Sequence, residues 1–133
     1  MKFKIQLVMV SEDDQPETVK ELAVLNKDSQ RIEHLGLTLA ESKAILKQLQ
    51  ANLVNEQVAS YLDTRRSCPD CGTPLRTKGS QPITFRTLFG HIGLDSPRLR
   101  HCRCGPRATD TFSPLTTLLP EHTAPELLFV ETK

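Results

Sequence analysis

The sequence predicts an α+β fold: an N-terminal β-hairpin with one long helix, followed by a small antiparallel β domain. Three observations carry this. Residues 2–10 alternate apolar and polar, residues 39–65 contain neither Gly nor Pro, and all four cysteines fall into two pairs, Cys68/Cys71 and Cys102/Cys104. Alternation with period two belongs to a strand and an unbroken run with apolar residues three or four apart belongs to a helix, whereas paired cysteines belong to a small domain pinned by cross-links or metal.

The hairpin comes first. Phe3, Ile5, Leu7 and Met9 share one face of the opening strand. The polar stretch Ser11-Glu12-Asp13-Asp14-Gln15-Pro16 has turn composition, and residues 17–26, with Val19, Leu22, Val24 and Leu25, read as the return strand. The long helix has a recognisable start: Thr38-Leu39-Ala40-Glu41 has the form in which hydroxyl and carboxylate satisfy each other's backbone N–H, making Thr38 the expected N-cap. From Leu39 to about Arg65 the helix would be roughly 40 Å long at 1.5 Å per residue. Leu39, Ile45, Leu46, Leu49, Leu53, Val54, Val58, Tyr61 and Leu62, mostly three or four apart, put an apolar stripe on one face, and its Leu46, Leu49 and Leu53 are expected to be buried against the hairpin or a second subunit. A homo-oligomer joined through this helix is therefore one expected partner.

Cys68-Pro69-Asp70-Cys71-Gly72 and Cys102-Arg103-Cys104-Gly105 are separated by thirty residues. Two thiolates spaced by two residues can grip one metal ion from a tight turn, and the Gly that follows lets the chain turn away. With the second pair they supply four sulfurs, the full shell of a structural zinc ion, so Cys68, Cys71, Cys102 and Cys104 are the expected ligands of one zinc. Disulfides, a redox Cys-x-x-Cys, or iron in the same shell are the alternatives. The start Met1-Lys2-Phe3-Lys4-Ile5 has no apolar core of the length a signal peptide needs, which points to a reducing, cytoplasmic compartment. A redox pair would stand where a strand feeds a helix, and here Gly72, Thr73 and Pro74 lead into strand-like alternation instead.

Between the cysteine pairs the expected strands are short. Residues 75–78 form one, Gly79-Ser80 breaks it, and Ile83, Phe85 and Thr87 alternate up to a hairpin tip at Phe89-Gly90. Ile92 and Leu94 alternate again, Asp95-Ser96-Pro97 interrupts, and residues 98–102 run into the second cysteine turn with Arg98 and Arg100 on one face. This is the organisation of a zinc ribbon, hairpins pinned at one end by metal because their apolar content is too small to hold them. Beyond it, Thr123-Ala124-Pro125-Glu126 reads as a second capping box before a helix that gets only about two turns, as expected of a truncated chain. Three regions follow: 1–64, hairpin and helix; 65–107, ribbon; 108–133, tail.

The 133 residues are 38% hydrophobic with a net charge of +1, and no apolar run reaches the eighteen residues of a membrane span. The charge is uneven. Residues 1–64 hold seven Lys/Arg against ten Asp/Glu, residues 65–107 hold nine against two, and residues 108–133 hold one against four. The nine are Arg65, Arg66, Arg76, Lys78, Arg86, Arg98, Arg100, Arg103 and Arg107, and arginine's planar fork suits phosphate and guanine edges, which makes DNA the expected partner. A merely solvated surface is the bland alternative. His34, His91, His101 and His122 are scattered, Glu12-Asp13-Asp14 lies in a turn, and no nucleophile has a legible base partner, so the chain by itself reads as non-enzymatic.

The run Cys68-Pro69-Asp70-Cys71-Gly72, Lys78-Gly79-Ser80, Phe85-Arg86-Thr87-Leu88-Phe89-Gly90, Ser96-Pro97-Arg98-Leu99, Cys102-Arg103-Cys104, Phe112-Ser113-Pro114-Leu115 and Leu119-Pro120-Glu121-His122-Thr123-Ala124-Pro125-Glu126-Leu127 resembles the N-terminal part of insertion-sequence transposases of the ISKra type. The likeness extends upstream to the hairpin and to Leu37-Thr38-Leu39. It implies a zinc-ribbon region that precedes a catalytic domain of RNase H-like fold with an Asp-Asp-Glu triad. This chain would then be the part that recognises transposon ends and assembles the complex in DNA transposition, with the catalytic part absent. The competing expectation is a zinc-stabilised protein–protein interaction or oligomerisation module that never touches DNA.

Overall fold

A computed structural model describes residues 1–106 and 110–131. The chain divides into two compact units, Met1–Asn52 and Leu53–Lys133. In the first, β1 (Lys2–Val10) and β2 (Pro16–Asn26) form an antiparallel hairpin whose register shifts between Ile5 and Gln6 and again between Met9 and Val10. Asp14 closes the turn at φ 60, a conformation that Asp tolerates better than most side chains, while Ser11 N–H donates to the Gln15 carbonyl at 2.8 Å. Ile5, Leu7 and Met9 are half-buried, as the alternation predicts, and Phe3 is exposed. Lys27 N–H donates to the Met1 carbonyl and the terminal amine to the Lys27 carbonyl, both at 2.8 Å, closing the open end.

The helix α1 (Leu39–Asp63) starts as the capping box predicts. Glu41 N–H donates to Thr38 Oγ1 at 3.1 Å, and Thr38 N–H donates to Glu41 Oε1 at 2.8 Å. Only the C-terminal part of the expected apolar stripe is buried, and the expected burial of Leu46, Leu49 and Leu53 is not found. Leu46 and Leu53 are exposed and Leu49 half-buried, whereas Val54, Val58 and Leu62 are buried. At 100° per residue the second trio lies about 150° round the axis from the first. The apolar residues of α1 drift around the helix instead of holding one stripe, and within this chain packing takes the C-terminal trio.

In the second unit β3 (Thr77–Thr87), β4 (Gly90–Arg100) and β5 (Thr111–Phe112) form an antiparallel sheet in that order. Neither expected interruption occurs. The extra residues at Lys78 and Gly79 are absorbed by a shift in register between Thr77 and Ser80, with Gly79 at φ 115. Pro97 fits in the central strand because β5 pairs only with Leu99 and Arg100, leaving β4 a single neighbour at that point. Pro82 lies on the edge strand. The tip is Leu88-Phe89, with Gly90 at φ 122 opening β4.

Two short helices follow, α2 (Pro114–Leu118) against β4 and α3 (Pro125–Glu131) against β3. The sequence reading missed α2, although Ser113-Pro114 sets Pro in its first turn, a recognised start. The expected second capping box does not form: Thr123 Oγ1 turns back to donate to the Glu121 carbonyl. The start of α3 is held by tertiary pairing, with Arg86 N–H donating to the His122 carbonyl and Ala124 N–H to the Arg86 carbonyl. The core of this unit is Val54, Val58, Leu62, Ile92, Leu94, Leu99 and Leu115, the last two each 1% exposed. Tyr61 hydroxyl donates to the Pro114 carbonyl at 3.2 Å, tying the end of α1 to the start of α2. Among the described residues no helix is long and apolar enough to cross a membrane.

Candidate metal centre

Each cysteine pair sits in a turn closed by its own backbone. Ser67 and Pro74 form an antiparallel bridge, Cys68 N–H donates to the Thr73 carbonyl and Gly72 N–H to the Cys68 carbonyl, both at 2.9 Å. Gly72 stands at φ 75, where a side chain would be strained, so the chain can turn away after Cys71. In the second turn Gly105 N–H donates to the Cys102 carbonyl at 3.2 Å, and His101 N–H to the Asp110 carbonyl at 3.0 Å. β4 delivers Cys102 two residues past its end.

The four Sγ atoms of Cys68, Cys71, Cys102 and Cys104 lie within 4.8 Å of one another. Cys68 and Cys104 are 3.6 Å apart, and Cys71 and Cys102 3.4 Å. Both distances exceed a disulfide of about 2.05 Å, and the four are free thiols. Around a tetrahedral ion with metal–sulfur bonds of about 2.3 Å, sulfurs stand about 3.8 Å apart. The cluster therefore fits a metal ion of that kind with little movement.

Its electrostatics point the same way. Thr73 hydroxyl, hydrogen-bonded to Cys71 Sγ at 3.2 Å, is the chief cause that draws the Cys71 thiol down to about 6, with the Thr73 backbone N–H and the Cys102 and Cys104 thiols adding to it. The Cys102 thiol, then Cys68 and Cys71, push Cys104 well above the ordinary thiol range. Thiols this close cannot all ionise unless a cation stands among them. Thr73 was missed from sequence; its signal is a hydroxyl two residues after Cys71.

The expected basic residues do not form one row. Arg66 is ion-paired with Asp63 at 3.7 Å, Arg86 with Glu131, and Arg98 donates to Thr111 Oγ1 at 3.0 Å. Arg65 lies over the Tyr61 ring at 4.5 Å. Lys78 is exposed at the bulge of β3. Arg76, Arg100 and Arg103 are brought together along a groove beside the cysteines, lined also by Thr73, Pro74 and Leu75. Arg107 lies outside the described residues. Of the histidines, His101 stacks on Phe112 with centroids 4.6 Å apart, and none joins the thiol cluster among the described residues.

No family model matches the chain, and neither a curated protein nor a solved structure matches it.

Proposed function

We propose that Cys68, Cys71, Cys102 and Cys104 hold one structural zinc ion, and that the metal end of the chain binds DNA as the end-recognition and assembly region of a transposase of the ISKra type. The all-thiolate donor set supports zinc, since four sulfurs fill the tetrahedral shell and leave no position for a reacting water. The ion supplies cross-linking: it fixes the Cys68–Cys71 turn to the Cys102–Cys104 turn and with them the ends of β3 and β4.

The observation that carries DNA as the partner is the groove beside the cysteines, along which Arg76, Arg100 and Arg103 lie. A divalent ion with four thiolates carries a net charge of about −2, and these three guanidiniums overbalance it. The motif likeness to the transposases supplies the biological setting, and no catalytic role is proposed for this chain alone. The competing reading, a protein-interaction module, draws on the exposed Leu35, Leu37, Leu39, Leu46 and Leu53.

Salt separates the two. Titrating the zinc-loaded chain against duplex DNA carrying the transposon ends, at several salt concentrations, is expected to give affinity that falls by about 0.9 log units per log unit of salt for every phosphate contact. Absence of DNA binding, or binding indifferent to salt, would remove the DNA reading in favour of the interaction module.

A further inference from the structure

Seven of the nine basic residues of the 65–107 region divide by what their side chains touch. Arg66 and Arg86 are ion-paired with Asp63 and Glu131, and Arg98 donates one hydrogen bond to the Thr111 hydroxyl. Arg65 is stacked on Tyr61 and bonded to the Thr64 hydroxyl at 3.2 Å. The guanidiniums of Arg76, Arg100 and Arg103 have no hydrogen-bond or ion-pair partner among the described residues, and these three share one groove.

Their placement breaks a rule of sheet chemistry. Thr77 pairs with Leu99, and one step further Arg100 N–H donates to the Arg76 carbonyl at 2.8 Å, so the two arginines stand directly across the ladder from each other. Side chains so placed begin about 5 Å apart, and like charges in that position destabilise the pair. Arg103, in the following turn, adds a third positive charge. The two acids of the region are Asp70 and Asp95, and neither lines the groove. Thr87 and Gly90, by contrast, close the other end of the hairpin with a satisfied hydroxyl bond. Cys71, Cys102 and Cys104 line the same groove, and the charge of about −2 on the zinc-loaded cluster offsets two of the three guanidiniums, so the groove keeps a positive surplus and unused donors that suit an anion.

We infer that Arg76, Arg100 and Arg103 form a track for the phosphodiester backbone of duplex DNA, crossing the metal end of the sheet, and that Arg86 and Arg98 take no part in it. This rests on the DNA reading above and narrows it. A phosphate seated between Arg76 and Arg100 can accept from both guanidiniums, which turns the cross-strand repulsion into a shared charge-assisted contact. The contacts are to backbone, so they position the duplex and carry little sequence preference. Because Arg100 and Arg103 flank Cys102, the track is aligned only while the cysteine turns are held together.

Two double variants of the zinc-loaded full chain test this, Arg76→Gln/Arg103→Gln and Arg86→Gln/Arg98→Gln, each checked for metal content and for affinity to duplex DNA across a salt series. Both remove two positive charges, so net charge alone cannot separate them. The first is expected to reduce the log–log salt slope by about 1.8, two phosphate contacts' worth, and the second to leave it unchanged. Equal slopes in the two double variants, with metal retained, would overturn the track and leave the DNA reading standing. A parent chain that binds no duplex overturns both.

Discussion

Glu41 holds together two pieces of local structure that are fourteen residues apart. Its carboxylate pairs with the Lys27 ammonium and accepts from Thr38 N–H, and these two contacts, the Lys27 one foremost, draw its carboxyl from 4.5 down to about 2. A carboxyl with a depressed folded-state pKa stabilises the fold above its unfolded value and loses that contribution as pH falls through the folded one. Protection of the first-turn amides of α1 against hydrogen exchange should therefore hold at pH 5 and above and fade between about pH 4.5 and 2, and Glu41→Gln should abolish that dependence. The capping half of this arrangement was legible because Thr38 and Glu41 are neighbours on the chain, whereas Lys27 depends on how the hairpin's end meets the helix. Thr123 teaches the converse. It has the same spacing to Glu126, but pairing with Arg86 sets the backbone there and its hydroxyl goes elsewhere. At the metal centre, Cys102→Ser is expected to lower metal content from about one ion per chain to a small fraction, measured on reduced, desalted protein.

At the scale of elements, packing decided what pattern could not. The sequence marks α1 as apolar at many positions without saying which side is covered, and the covered one carries Val54, Val58 and Leu62. Val58→Asp should cost several kcal/mol, as an unpaired buried charge does, while Leu46→Asp should change the melting temperature of the monomeric chain little. A large loss from Leu46→Asp would mean that this side is covered after all, by a second copy if the loss depends on protein concentration. Leu99, 1% exposed in the central strand, should lose about 2–5 kcal/mol on replacement by Ala in chemical denaturation. Both β3 and β4 run through residues that read as breakers. Gly79 sits in a bulge and Pro97 faces a stretch without a second neighbour, and neither circumstance can be seen before the strands are paired.

For the molecule as a whole, the two units differ in what holds them. Met1–Asn52 contains no buried residue, and a two-stranded hairpin is marginal by itself. Leu53–Lys133 has a core of apolar side chains and, at one end of its sheet, the thiol cluster. The cysteines were legible because the sequence spends all four on two turn motifs. The division of the arginines was not, since the partner of Arg86 is Glu131, forty-five residues away, and only the folded chain brings them together. Everything proposed for the basic end depends on a single ion joining the two cysteine turns. The most direct test is X-ray absorption at the zinc edge of the zinc-loaded, reduced protein. The expected spectrum has four sulfur neighbours at about 2.3 Å and no lighter atom bonded to the zinc, whereas bonded nitrogen or oxygen, or a protein that takes up no zinc, would contradict the four-cysteine centre.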